Sequence, residues 1–193
     1  MNQANILDTP AIYAALEQKC EEVGFTMPSD IYIGTLLKSL IASKRGANVL
    51  ELGTGISLSL AWMIDGLDEQ GRVTSIDYDA KLIEIAQGFF EQDPRVTLVC
   101  ADGSDWLKSY KGAPFDLIFA DAWSGKFYDL EETLELVKVG GFYVIDDLNP
   151  ATGWPEGHAE KVAHLIDYLE NRPDFTMTKM NWSTGVILCT KTE

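Results

Sequence analysis

The residues best suited to chemistry are glycines and carboxylates that follow short apolar runs. After Val49-Leu50-Glu51-Leu52 come Gly53, Thr54 and Gly55. Glycines there let the backbone turn tightly and approach a ligand closely, and a helix N-terminus beyond them favours negative charge. The third glycine of a dinucleotide fingerprint is missing, because position 58 is Leu58. Taken alone, the pair of glycines is weak evidence, with a plain strand-to-helix turn as the competing reading. Asp77 ends the second run, at the spacing where a carboxylate accepts both hydroxyls of a ribose. Asp102 follows the third run in Cys-Ala-Asp-Gly, where it can receive an adenine amino group with backbone beside the ring edge. Either aspartate alone reads as a helix cap. Three such places at the carboxyl ends of successive runs point to one ligand crevice.

A second set suits the activation of a nucleophile. Asp121 follows the fourth run, and Asp146 and Asp147 close the fifth. Adjacent strands would gather these carboxylates, which then repel and raise each other's pKa. A cation, a protonated partner or solvent must therefore share the site. Lys126, in Ser124-Gly125-Lys126, is one candidate partner, since Gly125 lets a loop fold back. His158 is the other, after a Pro/Gly-punctuated loop at the start of the last long helix, as a base or a metal ligand. An exposed or capping histidine is its competing reading. His164 falls off the apolar stripe of the same helix and reads as solvated surface.

The elements that must position these groups are legible in the apolar pattern. Asn48–Leu52, Val73–Asp77, Val96–Cys100, Phe115–Ala120 and Phe142–Asp146 are nearly continuous apolar runs, as expected of strands covered on both faces. Amphipathic stretches intervene: Leu82, Ile85, Ala86 and Phe89 share one face of Asp79–Glu91, and Val162, Leu165, Ile166 and Leu169 one face of His158–Asn171. Alternating β and α reads as a doubly wound parallel sheet. Residues 11–23 and 29–44 read as helices, the second started by Pro28, Ser29 and Asp30. Phe175–Trp182 and Val186–Thr190, joined by Ser183-Thr184-Gly185, read as a terminal antiparallel hairpin, making the sheet mixed. The 193 residues fit one domain, with residues 1–45 as an N-terminal helical cap and 46–193 as the core.

Composition narrows the partners. Thirty acidic residues against fifteen basic ones give a net charge of −15, which repels a polyphosphate backbone, and no basic run with interleaved aromatics appears. Nucleic acid and an anionic membrane surface are poor partners. No signal pattern or membrane-spanning run is present, and Cys20, Cys100 and Cys189 form no Cys-x-x-Cys pair. A reduced cytoplasmic setting is the expectation.

The string VLELGTG…VTSIDYD…VTLVCADGSDWL…FDLIFADAW…GGFYVIDD resembles the class I S-adenosylmethionine methyltransferases. Within them it is similar to the small O-methyltransferases of the catechol and caffeoyl-coenzyme-A type, from about Met27 to the end. The resemblance implies a Rossmann-like seven-stranded sheet with its last pair reversed. It implies cofactor contacts for Glu51, Gly53, Gly55, Ser59, Asp77, Asp102 and Asp121; their neighbours Thr54, Tyr78 and Gly103 complete the candidate set. Trp123 falls where the catechol enzymes set a tryptophan against the cofactor, with an ordinary buried aromatic as the alternative. Ala-Asp-Ala-Trp after the fourth run, in place of an Asn/Asp-Pro-Pro-aromatic motif, favours a small hydroxylated acceptor over a nucleic-acid amino group. A homodimer follows from the resemblance alone.

The match departs from the family at the chemistry. The matching places in the catechol-like enzymes carry two aspartates and an asparagine bound to magnesium, whereas Asp147 here replaces the asparagine, still an oxygen ligand for a hard cation. The family's lysine belongs at position 124, which is Ser124, and Lys126 lies two residues later. Two routes stay open: a divalent cation on Asp121, Asp146 and Asp147, or a carboxylate acting with Lys126 or His158. Trp154 is a candidate wall of an aromatic acceptor pocket or a packing residue. The rival functions are a non-catalytic S-adenosylmethionine-binding protein and a nicotinamide-dependent oxidoreductase. The second leaves Asp102, the hairpin and the missing glycine unexplained.

Overall fold

The computed structural model describes residues 2–150 and 156–193. Among them, seven strands form one sheet in the order β3-β2-β1-β4-β5-β7-β6. The strands are β1 (Asn48–Leu52), β2 (Arg72–Asp77), β3 (Val96–Cys100), β4 (Phe115–Ala120), β5 (Val137–Ile145), β6 (Phe175–Met180) and β7 (Val186–Lys191). The first five pair in parallel, and β7 runs antiparallel to both β5 and β6. The chain leaves β1 in one direction for β2 and β3 and returns on the other side of β1 at β4. This topological switch point is where open α/β sheets bind ligands.

Side-chain alternation builds a core on each face. Val49, Leu117 and Phe119 pack with one set of helices, and Leu50, Leu52, Ile118 and Ala120 with the other. Helices α1 (Tyr13–Val23), α2 (Ile31–Ala42) and α3 (Leu58–Gly66) cover the first face. Leu16, Ile33, Leu37, Ile41 and Trp62 are buried in the same cluster as Val49, so the N-terminal helices share the sheet's core. Gly34 makes the α2–α3 contact close, because a Cβ there would overlap the Trp62 ring. Helix α7 (His158–Glu170) covers the other face through Val162, Leu165 and Leu169.

Several boundaries differ from the pattern-based expectation. The fifth strand starts at Val137 rather than Phe142, with a register shift opposite Phe115 and Leu117 and a positive φ at Gly140. It ends at Ile145, leaving both Asp146 and Asp147 free of the ladder. Helix α4 (Ala80–Phe90) buries Ile83, Ala86 and Phe90 most deeply, turning its stripe by about one residue, while Leu82, Ile85 and Phe89 pack at its margin. The β3 run is only partly buried and Cys100 is exposed, because β3 is an edge strand with one neighbour. Asp30 caps α2 by accepting the Tyr32 N–H at 2.7 Å, so that helix begins two residues later than expected. Two short helices, α5 (Gly103–Ser109) and α6 (Leu130–Glu135), follow β3 and β4. Trp154 lies outside the described residues.

Candidate active site

The turn after β1 is fixed from three sides. The N–H groups of Gly53 and Thr54 donate to the Ile76 carbonyl at 2.9 and 3.2 Å, tying the turn to β2. Gly53 has φ +102, and a Cβ on it would lie 2.7 Å from the main-chain oxygen of Asp121. Only glycine fits both constraints. Asp77 accepts the Gly55 N–H at 3.0 Å on one oxygen and the Asp79 N–H at 2.9 Å on the other. Its carboxylate so holds both the glycine turn and the turn after β2, with lone pairs remaining for a ligand.

Beneath the turn lies a buried polar network. Ser59 donates to Glu51 at 2.6 Å, Ser75 donates to the other Glu51 oxygen, and the Thr54 and Ser75 hydroxyls are 2.6 Å apart. Burial pushes the Glu51 carboxyl up to about 8, against the two serine bonds, with the Asp77 charge adding to the rise. The resemblance implied cofactor contacts for Glu51 and Ser59; both are buried here and engage each other under the loop. Ser57, just before α3, takes the glycine-like φ of 70°, and its buried Oγ has no hydrogen-bond partner among the described residues.

On the flank, Asp102 is exposed and accepts the N–H groups of Ser104 and Asp105 at 2.9 and 3.1 Å, capping α5. One of its oxygens thus performs the bland role, and the other has no such bond to the helix. Gly103 abuts the Ser124 side chain, so the loops after β3 and β4 touch. Tyr78 is 81% exposed beside Asp77. Trp123 is partly exposed too, which corrects the reading of an ordinary buried aromatic. It meets Phe127, Tyr128 and His158 with ring centroids 5.9 to 6.2 Å away.

Past β4 and β5 the expected carboxylates come together. Asp121 accepts the Ser29 hydroxyl at 3.1 Å. Burial, then the charges of Asp146 and Asp147, raise its carboxyl well above the usual range, with Lys126 and Ser29 opposing. Burial also pushes Asp146 up to about 6, although the Thr184 hydroxyl and the Asp147 N–H both donate to it. Asp147 is exposed, with a left-handed φ of 59°. Lys126 is 3% exposed, and its Nζ donates to the Asp146 carbonyl at 2.6 Å. Burial lowers its pKa, while Asp121, Asp147 and Asp146 pull it back up.

A tight turn brings Lys126 there. Phe127 and Tyr128 donate to the Trp123 carbonyl at 2.8 and 3.0 Å, and Gly125 turns at φ +78. A Cβ at Gly125 would overlap Leu52, and the Tyr143 hydroxyl holds its carbonyl. His158 is buried, contrary to the reading of an exposed or capping residue. Its ring stands edge-on to Phe127 at 5.2 Å. Burial and then the Lys126 charge lower its pKa, against the Asp147 main chain and charge. His164 is exposed, as expected.

The residues missed from sequence are the ones that hold the acids. Ser29 reaches Asp121 across 92 positions, and Thr184 reaches Asp146 across 38. Thr184 was visible only as part of a hairpin turn. The antiparallel pairing of β7 with β5 delivers that turn to the end of β5, where Leu148 and Asn149 donate to Gly185 and Thr184 at 3.1 and 2.8 Å. Despite the mutual influence of the three aspartates, no three Asp, Glu, His or Cys side chains among the described residues are grouped so as to hold a metal ion.

The sheet order, with its reversed final pair and the glycine turn at the switch point, is that of the Rossmann-like methyltransferases. Residues 12–191 match the family described as O-methyltransferase, and the chain belongs to that family. It is similar to an Arabidopsis thaliana protein provisionally named a caffeoyl-CoA O-methyltransferase, 30% identical over 81% of this chain and 74% of the relative. The catechol O-methyltransferase of Mycobacterium tuberculosis is 29% identical over 73% of this chain and 66% of its own length. The O-methyltransferase from Bacillus cereus, solved in complex with SAH, superposes with a TM-score of 0.85 at 21% identity. That match covers 98% of this chain and 94% of the other.

Proposed function

We propose that the chain methylates a hydroxyl of a small phenolic molecule, using S-adenosylmethionine. The observation that carries this reading is the approach of the Gly53 turn to the Asp121 backbone, where a Cβ would lie 2.7 Å from the Asp121 oxygen. A ligand seated on the glycine turn is thereby next to the acid cluster. The family supports transfer to oxygen, and two relatives are named for catechol and caffeoyl-CoA substrates. The net charge of −15 argues against a polyanionic acceptor. Three free cysteines suit a reducing cytoplasm.

The residues present fit the cofactor. The glycine turn bends at positive φ at Gly53 and Gly55, and Ser57 offers a buried hydroxyl with no hydrogen-bond partner among the described residues at the same turn. In this reading Gly53, Thr54 and Gly55 supply backbone, Asp77 accepts the ribose hydroxyls, and Tyr78, Asp102, Gly103 and Trp123 border the remainder. S-adenosylmethionine, when bound, would supply an electrophilic methyl group on its sulfonium: an O–CH3 bond to the deprotonated acceptor oxygen would form as the S–CH3 bond breaks and S-adenosylhomocysteine leaves. Asp121, Asp146 and Lys126 handle the acceptor's proton. Burial raises the two carboxyls and lowers the lysine, so their proton affinities converge.

The test is incubation with methyl-labelled cofactor and a panel of catechols and related phenols, read by mass spectrometry. A labelled methyl ether is the expected product. Labelled nitrogen products, or no transfer to any hydroxyl, would contradict the reading.

A further inference from the structure

We propose that Ser29 and Thr184 are positioning residues: each hydroxyl ties down one oxygen of an active-site acid and so presents the other oxygen to the acceptor hydroxyl. This rests on the reading in which Asp121 and Asp146 take the acceptor's proton, and deepens it. A carboxylate has two oxygens able to accept hydrogen bonds, and holding one fixes where the other points. Ser29 Oγ donates to Asp121 Oδ2 at 3.1 Å. Thr184 Oγ1 donates to Asp146 Oδ1, and the Asp147 N–H donates to the same oxygen at 2.7 Å. No hydrogen bond among the described residues reaches Asp121 Oδ1 or Asp146 Oδ2. Each acid is thus bonded on one oxygen and unbonded on the other. The acceptor hydroxyl donates to an unbonded oxygen of this pair, and its proton ends on that carboxyl as the O–CH3 bond forms.

Neither hydroxyl is a loose surface group. Ser29 directly precedes Asp30, whose carboxylate fixes the start of α2 by accepting the Tyr32 N–H at 2.7 Å. Thr184 sits in the turn between β6 and β7. That turn is latched to the segment after β5 by the Asn149 N–H, which donates to the Thr184 carbonyl at 2.8 Å. The latch is tight: Ser183 and Gly185 are left-handed, and a Cβ at Gly185 would lie 2.5 Å from the Asn149 nitrogen. A helix start and a hairpin turn from opposite ends of the chain thus converge on the two acids. Neither hydroxyl makes another hydrogen bond among the described residues, so the acids are what they serve.

The experiment compares Thr184→Val, Thr184→Ser and Ser29→Ala with wild type, using whichever catechol or phenol of the panel wild type methylates fastest. It reads kcat and acceptor KM from labelled methyl transfer, SAH affinity from calorimetry, and Tm. Valine keeps the shape of Thr184 and removes the donor, whereas serine keeps the donor. Loss of orientation should lower kcat roughly tenfold to a hundredfold in Thr184→Val and in Ser29→Ala. Acceptor KM, SAH affinity and Tm should stay near wild type in both, and Thr184→Ser should hold kcat near wild type. Wild-type kcat in Thr184→Val or in Ser29→Ala would overturn the proposal. So would a loss shared equally by Thr184→Val and Thr184→Ser, or one confined to KM, SAH binding or Tm, because those mark packing rather than orientation. If Thr184→Val does not fold, Ser29→Ala decides, since it leaves the hairpin untouched. No methylation of any phenol by wild type would instead sink the methyltransferase reading, so the two failures are distinct.

Discussion

Replacing Glu51 with glutamine isolates the electrostatics of the platform under the glycine turn. The carboxyl is buried, with an ordinary value of 4.5 raised to about 8 in the fold. Below pH 4.5 both folded and unfolded chains hold the proton, and the stabilisation is fully present. As pH rises the unfolded chain ionises first, and stability falls by ~1.4 kcal/mol per pH unit until the folded carboxyl also ionises near 8. Across that window the loss amounts to about 5 kcal/mol. Glutamine has the same shape and does not titrate. Its oxygen accepts the Ser59 hydroxyl, and its amide donates to Ser75, whose hydroxyl turns to Thr54. Other titrating groups are common to the two proteins and cancel in the difference.

Urea unfolding at pH 5, 7 and 9 measures it. Glu51→Gln should be close to wild type at pH 5 and progressively more stable than wild type towards pH 9. Parallel stability curves would refute the assignment of a neutral, buried acid beneath the turn.

Other perturbations separate binding, backbone geometry and chemistry. Asp77→Ala should weaken SAH binding by about 1.5–3 kcal/mol per charge-assisted bond removed; unchanged affinity in calorimetry would remove Asp77 from the ribose site. Gly53→Ala forces a side chain into φ +102 and against Asp121, at a cost of about 1–3 kcal/mol, so both Tm and SAH affinity should drop; an unshifted Tm would contradict the close approach. Asp121→Asn should lower turnover sharply while holding or raising Tm, because the carboxylate is crowded by Asp146 and Asp147. A matching loss of both would show a structural role instead.

Much of the fold was legible because its central strands are covered on both faces, which leaves few polar residues to break the runs. Val49-Leu50-Glu51-Leu52 is read easily for that reason, and even Glu51 sits in a buried position. The start of β5 was not legible, since Gly140 and Gly141 look like a loop but lie within a strand that shifts register. The strand-end aspartates were found because their places depend only on where strands stop. Their supports were not: Ser29 and Thr184 reach the acids through tertiary folding alone. The burial of His158, which decides against the exposed alternative, was not legible because the aromatic wall around it comes from residues 123–127, on another element. Gly125 gave the one local hint that Lys126 turns back.

The most direct measurement is calorimetric titration of the protein with SAH in EDTA. Saturable one-site binding, weakened by Asp77→Ala, is the predicted result. No heat of binding, in EDTA or with magnesium restored, would contradict the assignment of the glycine turn as a methyl-donor site.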